Sequence, residues 1–135
     1  LAVIARYFIV DENSVNASML NIRHEIENLG FDALGITAIA TAFSELGYNI
    51  VKYAGRGEIT LRGIRTEGTL TGIELEATDN GPGIADPEEA LRDHTSSSGT
   101  LGLGLPGVRR LMDDFYLDSQ VGRGTRVVAT KLLNP

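Results

Sequence analysis

The chain has 135 residues, 42% hydrophobic and 22% charged, with no cysteine and a formal net charge of −6. That suits one ordinary domain with enough apolar content for a core, and it excludes disulfide and thiolate chemistry. The acidic balance argues against generic binding to nucleic acid or to anionic membranes, and no apolar run reads as a membrane span. Residues 3–10 (VIARYFIV) read as a first strand rather than a signal peptide, because Arg6 interrupts the run and no small-residue cleavage site follows. Asp11 to Asn13 offer N-cap oxygens for a helix reaching Leu29, with apolar positions at Val15, Met19, Ile22, Ile26 and Leu29, and Gly30 supplies the stop. Asp32 can cap a second helix over 33–53, whose stripe runs through Ile36, Ile39, Phe43, Leu46, Ile50 and Tyr53.

AGRGE (54–58) breaks that helix. ITLRGIR (59–65) and TGIELEAT (71–78) alternate as the arms of an antiparallel hairpin joined by TEGTL. Residues 79–105 are loop-like, with a short helix around PEEALRD, and Pro106 opens a third helix running to about Phe115. Tyr116–Ser119 and Thr125–Leu133 read as closing strands separated by VGRG. The expectation is α+β: a single domain over 1–135, a two-layer sandwich of a mostly antiparallel sheet with helices on one face.

TSSSGTLGLGLPGVRR (95–110) contains G-x-G-x-x-G at Gly102, Gly104 and Gly107. A dinucleotide fold needs a strand just before the first glycine and an acid about 20 residues later. HTSSSGTL and TRVVATK supply neither. A eukaryotic-type kinase loop fails because Arg109 occupies the valine position and the V-A-I-K and H-R-D motifs are missing, and a Walker loop fails for want of G-K-[ST]. An ordinary loop remains open on these residues alone.

Three further features bear on it. Glu45 and Asn49 stand i, i+4 on the second helix, on a face shared with Thr41 and Lys52 and offset from the apolar stripe. A carboxylate and an amide side by side can orient a nucleophile and ligate a hard cation, although a solvated helix face would look the same. TDNGPGI (78–84) offers a carboxylate that can accept from an exocyclic amino group, with Gly81 and Gly83 leaving room for a flat base; a plain turn has similar letters. GRGT (122–125) sets a hydroxyl after a glycine turn. Only His24 and His94 offer imidazole, far apart in sequence, which disfavours zinc and Ser-His-Asp chemistry; His24 reads as a surface residue.

The order E-x-x-x-N, D-x-G-x-G, a glycine-rich lid with G-x-G, then G-x-G-T resembles the GHKL ATPase superfamily across residues 45–125. Through TAFSELGYNIVKYAGRGEI (41–59), GPGI (81–84) and GLGLPGVRRLMDDF (102–115) the chain is most similar to the small bacterial serine/threonine kinases of anti-sigma regulation, the RsbT-type switch kinases of stressosomes. The resemblance implies a Bergerat ATP-binding fold, ATP and Mg²⁺ as cofactors, and a cytoplasmic enzyme. By motif, Glu45 would be the general base, Asn49 the Mg²⁺ ligand, and Asp79 the reader of the adenine amino group, helped through water by Thr125. Gly81, Gly83 and Ile84 would shape the base pocket. Gly99, Thr100, Leu101, Gly102, Leu103, Gly104 and Leu105 would wrap the phosphates, with Lys52 as a further contact and Gly107 serving helix packing or a partner. The implied partners are a STAS-domain substrate and a PP2C-type phosphatase activated on release. The alternative is an RsbW-type anti-sigma factor that captures a sigma factor under nucleotide control.

Overall fold

The computed structural model describes residues 1–92 and 104–133. In chain order the elements are β1 (Ala2–Ile9), α1 (Glu12–Asn28), α2 (Ala33–Tyr53), β2 (Gly57–Thr66), β3 (Thr69–Asp79), α3 (Pro87–Ala90), α4 (Gly104–Leu111), β4 (Asp114–Gln120) and β5 (Gly124–Leu132). The five strands form one sheet in the order β1-β2-β3-β5-β4, and every neighbouring pair is antiparallel. The expected sandwich is therefore present, with a sheet that is wholly rather than mostly antiparallel.

Local chemistry explains the boundaries. Asp11 accepts the Ser14 N–H at 2.8 Å while Ser14 Oγ takes the Asp11 N–H at 3.1 Å, a reciprocal cap that opens α1 and is worth about 0.5–2 kcal/mol. Asp32 caps α2 through the Gly35 N–H. The β2–β3 hairpin closes at Thr66↔Thr69 over Glu67 and Gly68, whose φ angles of 54° and 82° are both positive, the two-residue turn whose twist matches the strands.

Alternation then sorts the sheet. Tyr7, Ile9, Ile59, Leu61, Ile73, Leu75, Ala77, Val127 and Ala129 are buried in the same core as Val15, Ile22 and Ile26 of α1, Ile39, Phe43, Leu46 and Ile50 of α2, and Val108 of α4. Tyr7 meets Phe43 edge-on, with centroids 5.0 Å apart, a geometry that adds about 0.5–1.5 kcal/mol beyond burial. The other face of the sheet carries Arg62, Glu74, Glu76 and Arg126.

Two expectations need correction. The stripe on α2 ends at Ile50, since Tyr53 is 52% exposed. The third helix stops at Leu111 rather than near Phe115: the Lys131 ammonium caps the Leu111 carbonyl and the Asp113 N–H pairs with the Thr130 carbonyl, so strand pairing claims the chain. Helix α2 is long and apolar enough to cross a membrane, with a mean hydropathy of 1.2 over its best window. It is the central core helix, holding Phe43 and Leu46 at 0–1% exposure.

Candidate nucleotide-binding site

Glu45 and Asn49 lie one turn apart on α2, with Glu45 only 2% exposed and Asn49 half-buried. The competing reading of a solvated helix face fails at Glu45, which sits within the core layer. Its Oε1 accepts the Gly104 N–H at 3.0 Å, at the start of α4, while Oε2 is buried with no hydrogen-bond partner among the described residues. A buried carboxylate oxygen without a donor costs about 1–3 kcal/mol or more and is available for a proton or a cation. Lys52 is exposed, and its ammonium lies over the Tyr53 ring at 5.1 Å from the centroid. Any phosphate contact would require it to leave that ring.

At the far end of β3, Asp79 pairs with Thr125 across the β3–β5 ladder, on the helix side of the sheet. Asp79 Oδ1 accepts the Gly81 N–H at 2.9 Å, so the carboxylate is turned and held by its own loop. Sequence reasoning gave Gly81 and Gly83 the job of passing a flat base. The structure gives both a close protein neighbour: a Cβ on Gly81 would press on Ala54 at the end of α2, and one on Gly83 (φ 81°) would overlap the Gln120 carbonyl. Both positions demand close backbone approach, and Gly83 adds a positive φ that glycine adopts freely.

That approach belongs to a wider tie. The Gly122 N–H donates to the Pro82 carbonyl at 2.8 Å, and the Ile84 N–H donates to Ser119 Oγ at 2.7 Å. Ser119 Oγ also lies 3.1 Å from the Gly124 carbonyl and 2.8 Å from Thr125 Oγ1. Residues 81–84 are therefore strapped to the β4–β5 turn. Sequence reasoning missed Ser119, because a serine on a short strand carries no local signal; its partners lie up to 35 residues away. A cleft of about 280 Å³ opens at this strand end, lined by Asp79, Asn80, Ser119 and Thr125 together with Arg123 and Arg126.

Gly104 and Leu105 begin α4, with Leu105 and Gly107 buried. The expected phosphate contacts Gly99, Thr100, Leu101, Gly102 and Leu103 lie outside the described residues, as does His94. His24 is exposed on α1, with Nε2 3.2 Å from Asn28 Nδ2. Among the described residues no group of three or more His, Cys, Asp or Glu could hold a metal ion.

Comparison with known proteins is consistent with this geometry. Residues 11–131 match the family model of the histidine kinase-like ATPase domain. The chain is 45% identical over 111 residues to the serine/threonine-protein kinase RsbT of Bacillus subtilis, covering 82% of this chain and 83% of that protein. It is 31% identical over 101 residues to an anti-sigma F factor of Caldanaerobacter subterraneus, covering 73% and 71%. Among solved structures, the RsbU and RsbW domains of a Mycobacterium tuberculosis protein superpose with a TM-score of 0.62 at 18% identity, covering 97% of this chain and 33% of that one. The mycobacterial sensor histidine kinase MprB gives 0.54 at 21%, covering 90% and 93%. These last two likenesses speak for the fold alone.

Proposed function

The chain belongs to the histidine kinase-like ATPase family, in its branch of small serine/threonine protein kinases, and we propose that it phosphorylates a hydroxyl on a STAS-domain antagonist in a bacterial, stressosome-type partner-switching pathway. Released from that antagonist, it would bind and activate a PP2C-type phosphatase in the cytoplasm. The observation that carries the reading is the buried Oε2 of Glu45, unpartnered among the described residues, one helical turn before Asn49.

Glu45 would serve as general base. As the substrate hydroxyl oxygen bonds to the γ-phosphorus and the bond to the β–γ bridging oxygen breaks, the hydroxyl proton passes to Oε2. Such a base contributes roughly 10²–10⁴-fold. Asn49 would ligate Mg²⁺, which when bound neutralises charge on the ATP phosphates. Asp79 would accept from the adenine amino group, with Thr125 helping through water and Ile84 closing the base pocket behind Gly81 and Gly83. Residues 99–105 would wrap the phosphates. Positioning and charge neutralisation are most of what phosphoryl transfer requires. A base shut away from water favours a protein hydroxyl over hydrolysis.

The test is incubation with Mg-ATP and a cognate STAS protein, followed by mass-spectrometric mapping of the modified residue. Transfer to one Ser or Thr is expected, lost on chelation of Mg²⁺ and reduced at least a hundredfold in Glu45→Ala. Equal rates for Glu45→Ala and wild type would remove the base assignment. The likeness to an anti-sigma F factor supports a second reading, in which capture of a sigma factor is the main output. Firm ADP-dependent binding of a sigma factor in a pull-down would favour it.

A further inference from the structure

A hydroxyl has one hydrogen and two lone pairs. Ser119 Oγ uses one lone pair on the Ile84 N–H at 2.7 Å and points its hydrogen at the Gly124 carbonyl, 3.1 Å away. Its remaining contact, to Thr125 Oγ1 at 2.8 Å, can then be made only with the hydrogen of Thr125. Thr125 has in consequence no donor left and presents lone pairs alone. Asp79, its partner across the β3–β5 ladder, is a carboxylate whose Oδ1 already takes the Gly81 N–H, and it too can only accept.

Asn80, Arg123 and Arg126 also line the cleft and carry donors, but a base edge set against the Asp79–Thr125 pair meets acceptors alone, which suits an amino group and opposes a carbonyl. Adenine carries N6–H₂ where guanine carries O6. We propose that Ser119 is a specificity-determining positioning residue: by taking up the Thr125 hydrogen it fixes Thr125 as an acceptor and sets the site against guanine nucleotides. A bridging water passes the same polarity on when it donates one hydrogen to Thr125 and the other to Asp79, since it then has only lone pairs for the base. This inference rests on the nucleotide site proposed above.

The experiment uses the full chain with Mg²⁺ and displaces a fluorescent N-methylanthraniloyl-ADP with ATP or GTP. Wild type should prefer ATP, and Ser119→Ala, which frees the Thr125 hydroxyl to donate, should shrink the GTP-to-ATP ratio of Kd values by about tenfold. Ser119→Thr should keep the wild-type ratio. In a Thr125→Val background Ser119→Ala should change the ratio no further, which a merely structural serine would not obey. Should Ser119→Ala fail to fold, Ser119→Cys fills the same space with a weak acceptor and should give the same loss. A ratio unchanged in the folded Ala or Cys variant, or one that falls equally with Val at 125, overturns the inference. Asp79→Asn separates the two levels. If it weakens ATP while the serine variants keep the ratio, only the role of Ser119 falls; if it leaves ATP affinity unchanged, the base site itself falls and this inference with it.

Discussion

At Glu45 one carboxylate oxygen takes the Gly104 N–H and the other takes no donor among the described residues. Folds keep such an arrangement where chemistry needs it, and the surrounding core supplies the compensation. Glu45→Gln retains an acceptor for Gly104 and removes the buried charge. It should raise the thermal midpoint by about 2–5 °C while lowering phosphoryl transfer roughly 10²–10⁴-fold. Differential scanning fluorimetry beside the transfer assay reads both. A lower midpoint would mean the carboxylate has partners in solution that outweigh its burial. From sequence, the i, i+4 spacing with Asn49 was legible but the burial was not, since the helix period leaves a position at the edge of an apolar stripe equally able to face water or the core.

Gly47 shows the same gap between pattern and packing at the level of paired helices. By propensity a mid-helix glycine costs about 1 kcal/mol relative to alanine, so Gly47→Ala should stabilise α2 considered by itself. In the fold a Cβ there would lie 2.9 Å from both methyl carbons of Val15, a fully buried residue of α1. A β-branched side chain in a helix is nearly confined to one rotamer and cannot turn aside, and overpacking costs about 1–3 kcal/mol. The packing penalty wins. Gly47→Ala should lower the denaturation free energy by about 1–2 kcal/mol, and Val15→Ala in the same chain should recover part of the loss rather than add to it. Simple additivity of the two would count against the contact. The helix starts were readable because Asp11 and Asp32 cap them locally; the end of α4 was not, because Lys131 and Thr130, nearly twenty residues onward, terminate it.

Across the whole sheet, Glu76 joins three strands: Arg62 of β2 reaches Glu74 at 3.1 Å and Glu76 at 2.7 Å, and Arg126 of β5 closes on Glu76 from the other side. Partial burial pushes the Glu76 carboxyl up, but hydrogen bonds and charge from the two guanidinium groups outweigh it and hold the group below the ordinary carboxylate range. A carboxylate depressed in the fold contributes stability that is present above its unfolded pKa of about 4.3 and is lost as pH falls through the lower native value. Urea denaturation should therefore show a loss of stability below about pH 4.3 that is shallower in Glu76→Gln, and identical slopes would remove Glu76 from the acid response. The alternation of β3 revealed which face these charges occupy. Their pairing depends on the β3–β5 register, which is set by neighbours some fifty residues apart and is invisible to any local window. The boxes around Asp79 and Thr125 were legible as spacing; that the backbone of one is bound to the turn of the other was not.

That strap between residues 82–84 and the β4–β5 turn would bear on the kinetics of the proposed site. The Ile84 and Gly122 amides are spent on the fold itself, so under the proposed function a base would meet an edge the backbone already holds. Differences in affinity between nucleotides would then fall on how long each one stays.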